Sequence, residues 1–142
     1  MRIADVLRSK GTWVATVRPE SSITELLAGL AGHNVGAMVV VGDEGIAGIV
    51  SERDVVRRLH EHGPALLDRP VSEIMTKVVA TCTPRDSVDD ISVLMTRRRI
   101  RHVPVVEDGG LGGIVSIGDV VKSRMEELEA TQQQLAAYIA QG

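Results

Sequence analysis

The chain has 142 residues, a formal net charge of -3 at pH 7 and a pI near 5.8. It has no Phe, one Trp and one Tyr, which disfavours a module that stacks nucleic-acid bases, and its acidic balance disfavours binding to a phosphate backbone. Its single cysteine excludes an internal disulfide, and no apolar run approaches the roughly 20 residues that span a bilayer. We therefore expect a cytoplasmic protein that does not cross a membrane.

The chain contains an internal repeat with an offset of 65 residues. Residues 48–56, Gly-Ile-Val-Ser-Glu-Arg-Asp-Val-Val, return as 113–121, Gly-Ile-Val-Ser-Ile-Gly-Asp-Val-Val, and no insertion interrupts the offset from Val14 onward. Two copies this long indicate one supersecondary unit used twice. The predicted divisions are repeat 1 at 1–62, a linker at 63–70, repeat 2 at 71–125 and a helical extension at 126–142.

Each copy begins with a short helical turn, at 3–7 and at 71–75, and the stretch behind that turn is three residues longer in the first copy. A short strand follows. The next helix is predicted to begin with a capping box, a Ser followed three residues later by an acid. The two boxes are Ser22 with Glu25 and Ser87 with Asp90.

An apolar strand, 37–41 or 103–106, then turns through a Gly- and Asp-rich segment into a returning strand, 46–50 or 111–115. A last helix begins at Ser51 or Ser116. The order is β-α-β-β-α in each copy. The predicted fold class is α/β (α+β), with the two tandem repeats packed face to face with pseudo-twofold symmetry and an extended C-terminal helix.

The last helix is predicted to continue well beyond the point where its counterpart in repeat 1 stops. Its apolar positions alternate in spacings of three and four, which is typical of a two-heptad seam. The seam consists of Met125, Leu128, Gln132, Leu135 and Ile139. It predicts packing on the helix's own domain or on a twofold partner, and we favour a homodimer.

The residues that carry chemistry lie at the junction of strand and helix in each repeat. Helix capping alone would explain the two Ser–Asp pairs, which are Ser51 with Asp54 and Ser116 with Asp119. That interpretation leaves unexplained the glycines at 48 and 113, which sit in strands where glycine usually marks a close approach by backbone or ligand. A helix N-terminus and a Ser hydroxyl suit a phosphate, and an Asp one turn into the helix suits the two hydroxyls of a ribose. The pattern favours a nucleotide.

The two seven-residue runs, Gly48 to Asp54 and Gly113 to Asp119, resemble the nucleotide motif of cystathionine β-synthase (CBS) domains. The element order, the Val-Ala-Thr strands and Arg101-His102-Val103-Pro104 fit that family too, over about residues 1–125. Paired CBS domains form a Bateman module. The resemblance implies two related pockets in a cleft between the repeats, each built from the Ser and Asp of one repeat and the strands of the other.

The resemblance assigns the following residues to the two pockets. The first pocket comprises Ser51 and Arg53 on phosphate, Asp54 on ribose, and Val79, Ala80, Arg101, His102, Val103 and Pro104 around base and phosphate. The second comprises Ser116, Asp119, Val14, Ala15, Gly36, Ala37 and Met38. Since the first pocket has Arg53, Arg101 and His102 where the second has Gly118, Gly36 and Ala37, it is expected to bind phosphate more strongly.

The leading hypothesis is a stand-alone regulatory module without catalytic activity. It would bind an adenine nucleotide (AMP, ADP, ATP or NAD) as a regulatory ligand, need no obligatory cofactor or metal, and pass a change in conformation or assembly to an unknown target protein. One alternative is a constitutive dimerising scaffold whose Ser and Asp only cap helices. A second is a nucleic-acid binder through the arginines of 97–101, which as a helix-end cluster also complement the helix dipole.

Overall fold

A computed structural model describes residues 1–77 and 80–141, and over these ranges the chain is α+β, with five α-helices and two sheets. The helices are α1 (Ile3–Lys10), α2 (Ile23–His33), α3 (Glu52–His62), α4 (Val88–Arg98) and α5 (Ile117–Gln141). The strands are β1 (Thr16–Val17), β2 (Ala37–Gly42), β3 (Gly45–Ser51), β4 (Thr76–Lys77), β5 (His102–Glu107) and β6 (Gly110–Ser116). Two 3₁₀ helices span Gly63–Asp68 and Val71–Glu73. The predicted fold class and the long C-terminal helix are confirmed.

The chain folds into two compact units that divide it differently from the sequence repeats. One unit contains Met1–Thr12 and Thr81–Gly142, and the other contains Trp13–Ala80. We call them the discontinuous unit and the continuous unit. The leading helix α1 therefore folds with the second hairpin, while the 3₁₀ turn that opens the second repeat folds with the first hairpin.

The continuous unit is built on a four-stranded sheet in the order β1-β2-β3-β4. Strand β1 runs parallel to β2, and β2 and β3 form an antiparallel hairpin whose register places Ala37 opposite Ser51. Its core consists of side chains such as Ile23, Leu26, Val40, Val50, Leu66 and Val71, all fully buried. Since Leu66 belongs to that core, the predicted linker is a packed segment of this unit.

The discontinuous unit is built on the β5–β6 hairpin, which Cys82 joins through a parallel bridge to Val105. Helices α1, α4 and α5 pack on it and supply, with the strands, a core that includes Ile3, Leu7, Met95, Val103 and Val115. This core and that of the continuous unit both consist of aliphatic residues and Met, with Cys82 added in the discontinuous unit, while Trp13 and Tyr138 are exposed.

The capping boxes predicted for α2 and α4 are single caps. Ser22 Oγ accepts from the backbone N–H of Glu25 at 3.1 Å, and Ser87 Oγ accepts from that of Asp90 at 3.0 Å. Over the described residues, neither acid returns a bond to the serine N–H. Both serines lie in isolated antiparallel bridges, Ser22 with Pro70 and Ser87 with Arg2, so neighbouring backbone rather than the acid orders the start of each helix.

Among the helices in the described ranges, none is long and apolar enough to cross a membrane.

Candidate functional site

The first strand-to-helix junction is a reciprocal pair between Ser51 and Asp54, which we call the repeat-1 motif. Ser51 ends β3 in an extended conformation, with φ -125° and ψ 166°, and is the N-cap of α3. Its backbone N–H donates to Asp54 Oδ2 at 2.9 Å, and its Oγ donates to the same oxygen at 3.0 Å. The N–H of Asp54 in turn points to Ser51 Oγ at 3.4 Å. Both side chains are half-buried, so the carboxylate is held in one position at the start of the helix.

The second junction, between Ser116 and Asp119, repeats this geometry and is called the repeat-2 motif. The N–H and Oγ of Ser116 donate to Asp119 Oδ2 at 2.8 and 3.0 Å, and the N–H of Asp119 donates to Ser116 Oγ at 3.2 Å. In both motifs the donors supplied by the serine converge on Oδ2. A carboxylate has about four acceptor positions over its two oxygens. Each motif therefore presents a fixed carboxylate with acceptor capacity on Oδ1.

A lysine that the sequence did not predict as a site residue contacts the aspartate of the repeat-2 motif. Lys10, the last residue of α1, donates from Nζ to Asp119 Oδ2 at 2.6 Å and to the carbonyl of Ile114 at 2.9 Å. Burial raises the pKa of Asp119, but the hydrogen bonds from Lys10 and from the Ser116 N–H outweigh burial and hold that pKa below its ordinary value. The only sequence signal was the stretch behind the first helical turn, which is three residues longer than its counterpart and contains Lys10.

Arg101 and His102 stand beside the repeat-2 motif within the discontinuous unit. His102 pairs with Ser116 across the hairpin, and the N–H of Ile117 donates to the Arg101 carbonyl at 2.8 Å. Burial lowers the pKa of His102, and the positive charge of Lys10 lowers it further. The imidazole is therefore held in its neutral form near pH 7. Val103 and Pro104, which follow on β5, are buried.

Gly36 and Ala37 hold the equivalent place beside the repeat-1 motif in the continuous unit. Ala37 pairs with Ser51, and the N–H of Glu52 donates to the Gly36 carbonyl at 3.0 Å. Next to them Met38 and Ala15 are buried and Val14 is half-buried, while Arg53 is exposed on the first turn of α3. Each motif thus has the strands of its own unit directly beside it.

Each predicted pocket instead combines a motif with residues of the other sequence repeat. Most of these residues belong to the other unit, whereas Ala80 belongs to the same unit as Ser51. That pairing stays a prediction, as does the stronger phosphate binding expected of the first pocket. Val79 lies outside the described residues, and Ala80 is half-buried.

The strand glycines that suggested space for a ligand are instead covered by the chain itself. A Cβ on Gly48 would lie 2.6 Å from the carbonyl oxygen of Thr76 and 3.0 Å from Met75 Sδ. A Cβ on Gly113 would lie 2.8 Å from a methyl carbon of Leu7. Met75 and the start of β4 occupy this space at Gly48, and α1 occupies it at Gly113. Of the two explanations, backbone or ligand, packing of the chain itself therefore accounts for both glycines.

Comparison with known proteins gives one family. A family model described as CBS domain matches residues 14–61 and 71–126. The "CBS domain-containing protein CBSX3, mitochondrial" of Arabidopsis thaliana is 38% identical over 152 aligned positions, which cover 99% of this chain and 72% of that protein.

Solved structures are similar over most of the chain. The CBS-domain containing protein ATU1752 from Agrobacterium tumefaciens is 45% identical with a TM-score of 0.81, over 87% of this chain and 92% of that one. PAE2072 from Pyrobaculum aerophilum, solved in complex with AMP, is 29% identical with a TM-score of 0.78, over 93% and 99%. The CBS domain pair of protein MJ0100, solved with 5-methylthioadenosine and S-adenosyl-L-methionine, is 26% identical with a TM-score of 0.78, over 89% and 98%.

Proposed function

Because the chain belongs to the CBS domain family, we propose that it is a regulatory module that binds an adenine nucleotide at the Ser–Asp motif of each repeat. The observation that carries the proposal is the reciprocal serine–aspartate pair, present twice at the N-terminus of a helix. The first-turn N–H groups and the positive end of the helix dipole suit a phosphate. A fixed carboxylate suits the hydroxyl pair of a ribose.

The ligands of similar proteins support an adenosine-containing molecule. AMP, 5-methylthioadenosine and S-adenosyl-L-methionine, which are named for PAE2072 and MJ0100, share an adenosine moiety and differ in what the ribose 5′ carbon carries. For this chain we propose AMP, ADP, ATP or NAD, bound as a regulatory ligand and not as an obligatory cofactor.

The module is proposed to act without catalysis. The hydroxyls of Ser51 and Ser116 each donate to the aspartate of the same motif at 3.0 Å, which orients them as helix caps. A nucleophilic serine needs a base within hydrogen-bond reach that takes its proton and is itself oriented by a third group. Here the aspartate accepts from the backbone N–H of the same serine, so the aspartate is placed as a helix cap and not as a general base.

Signal output is proposed to pass through α5 and an assembly change. The seam of this helix is exposed: Met125, Leu128, Leu135 and Ile139 keep between 56% and 68% of their surface accessible. A second copy of the helix would cover this row and form the homodimer that the sequence predicts. The same exposed row favours the second candidate function, a dimerising scaffold that responds to no ligand.

A thermal melt with AMP, ADP, ATP or NAD distinguishes the two candidates. Ligand at one hundred times its Kd should stabilise the protein by about 2.7 kcal/mol. Asp54→Asn and Asp119→Asn keep an oxygen that can cap the serine N–H but lose the charge and one acceptor. Each should reduce the nucleotide-dependent shift.

Asp90→Asn is the matched control, because Asp90 holds the same position behind a capping serine on a helix outside the motif. It should leave the shift intact. Absence of a shift with all four nucleotides would reject the regulatory module in favour of the scaffold.

A further inference from the structure

The ammonium of Lys10 and the carboxylate of Asp119 form a charge-assisted contact at the repeat-2 motif. The Nζ to Oδ2 distance is 2.6 Å, and the two side chains are 31% and 21% exposed. With the two bonds from Ser116, Oδ2 accepts three hydrogen bonds. Lys10 therefore neutralises this carboxylate and completes the occupation of Oδ2, which leaves Oδ1 as the oxygen open to a ribose.

Among the residues that the structure describes, no cation pairs with the repeat-1 motif as Lys10 pairs with the repeat-2 motif. Within residues 1–77 and 80–141, no ion pair includes Asp54, and its Oδ2 accepts only from Ser51. The difference follows from the connection behind the leading helical turn. In the continuous unit the shorter connection forms β4, which pairs Thr76 with Ile49. In the discontinuous unit the longer one lets α1 extend to Lys10, whose ammonium meets the carbonyl of Ile114, the counterpart of Ile49.

We propose that Lys10 makes the repeat-2 motif selective for a phosphorylated nucleoside over an uncharged one. This inference rests on the proposed function and adds to it a specificity-determining residue. A ribose whose two hydroxyls bind both oxygens of Asp119 must displace the ammonium from Oδ2. Displacement by an uncharged nucleoside leaves Lys10 without its anionic partner, whereas a nucleotide offers a phosphate to which the flexible lysine side chain turns. The repeat-1 motif, whose carboxylate forms no ion pair within the described part of the chain, binds both kinds of ligand without this exchange.

The test is isothermal titration calorimetry with AMP and adenosine in an Asp54→Asn background, which isolates the repeat-2 motif. The preference is the ratio of the Kd for adenosine to the Kd for AMP. Lys10→Met should lower it on the order of tenfold, the value of one hydrogen bond to a charged group. Lys10→Arg should retain most of it. Arg8→Met removes the same charge from an exposed position of α1 that pairs with Asp5, and should change nothing.

The outcomes separate this inference from the proposed function. If AMP and adenosine both bind and the ratio of their Kd values is the same with Lys10 and with Lys10→Met, the role of Lys10 is overturned. Nucleotide binding at this motif is then retained. Failure of AMP to bind either protein, with the native fold verified by circular dichroism, overturns nucleotide binding at this motif and the role of Lys10 with it.

Discussion

Replacing Gly48 with alanine should destabilise the protein, because the added methyl would clash with Met75 and Thr76. The added methyl would lie 2.6 Å from the carbonyl oxygen of Thr76 and 3.0 Å from Met75 Sδ. Met75 can move, but Thr76 is held in β4, whose register on β3 pairs Gly48 with Lys77. Overpacking of this kind costs about 1–3 kcal/mol, and we expect the upper half of that range because the nearest atom is backbone.

The free energy of unfolding, measured by urea titration, checks this expectation. Gly32→Ala is the control, because Gly32 lies inside α2 with no atom within 4 Å of the added methyl. There alanine should stabilise the helix by about 0.5–1 kcal/mol, so the same substitution has opposite signs at the two positions. A Gly48→Ala protein that is as stable as wild type but no longer binds nucleotide would refute the reasoning and restore the ligand interpretation of this glycine.

Three further outcomes are expected. Burial raises the pKa of the Cys82 thiol to about 12, so iodoacetamide at about pH 8 should label it only after unfolding; fast labelling of native protein would contradict its burial. Burial lowers the pKa of His102 below its ordinary value, so the unfolded state takes up the proton first and the free energy of unfolding should fall as the pH drops below about 6.5. His102→Gln should flatten that fall, and an unchanged slope would assign it to other groups. Leu128→Glu with Leu135→Glu should convert a dimer into a monomer in sedimentation and leave the native circular-dichroism spectrum unchanged, while Gln134→Glu on the same helix should leave the dimer intact; an unaltered dimer in the double variant would place the interface elsewhere.

Local signals allowed the sequence to predict most of the elements and both motifs. The Ser-x-x-Asp spacing fixes the reciprocal caps of α3 and α5 because all partners lie within three residues. The apolar strands joined by Gly- and Asp-rich turns fix both hairpins in the same way. The fixed 65-residue offset then showed that the two junctions are related.

Contacts between distant segments could not be predicted. Lys10 and Asp119 are 109 residues apart, and no local pattern brings them together. The atoms that cover the strand glycines come from α1 at Gly113 and from Met75 and Thr76 at Gly48. Each of these segments packs on the hairpin of the other repeat, which is a tertiary contact that no local pattern reveals. The sequence shows the three extra residues that allow α1 to extend to Lys10. Their consequence depends on how α1 packs on the β5–β6 hairpin, which the sequence does not show. The Gly and Pro residues around Leu66 likewise predicted a linker, whereas Leu66 is fully buried in a 3₁₀ helix.

If each Ser–Asp motif binds one adenine nucleotide, the number of nucleotides bound per chain should follow the number of intact motifs. Equilibrium dialysis with radiolabelled AMP should give two sites per chain for wild type, one for Asp54→Asn or Asp119→Asn, and none for the double variant. The Asp90→Asn control should retain two. Two sites per chain in the double variant would rule out nucleotide binding at the Ser–Asp motifs, because nucleotide would then bind without the carboxylates that define both of them.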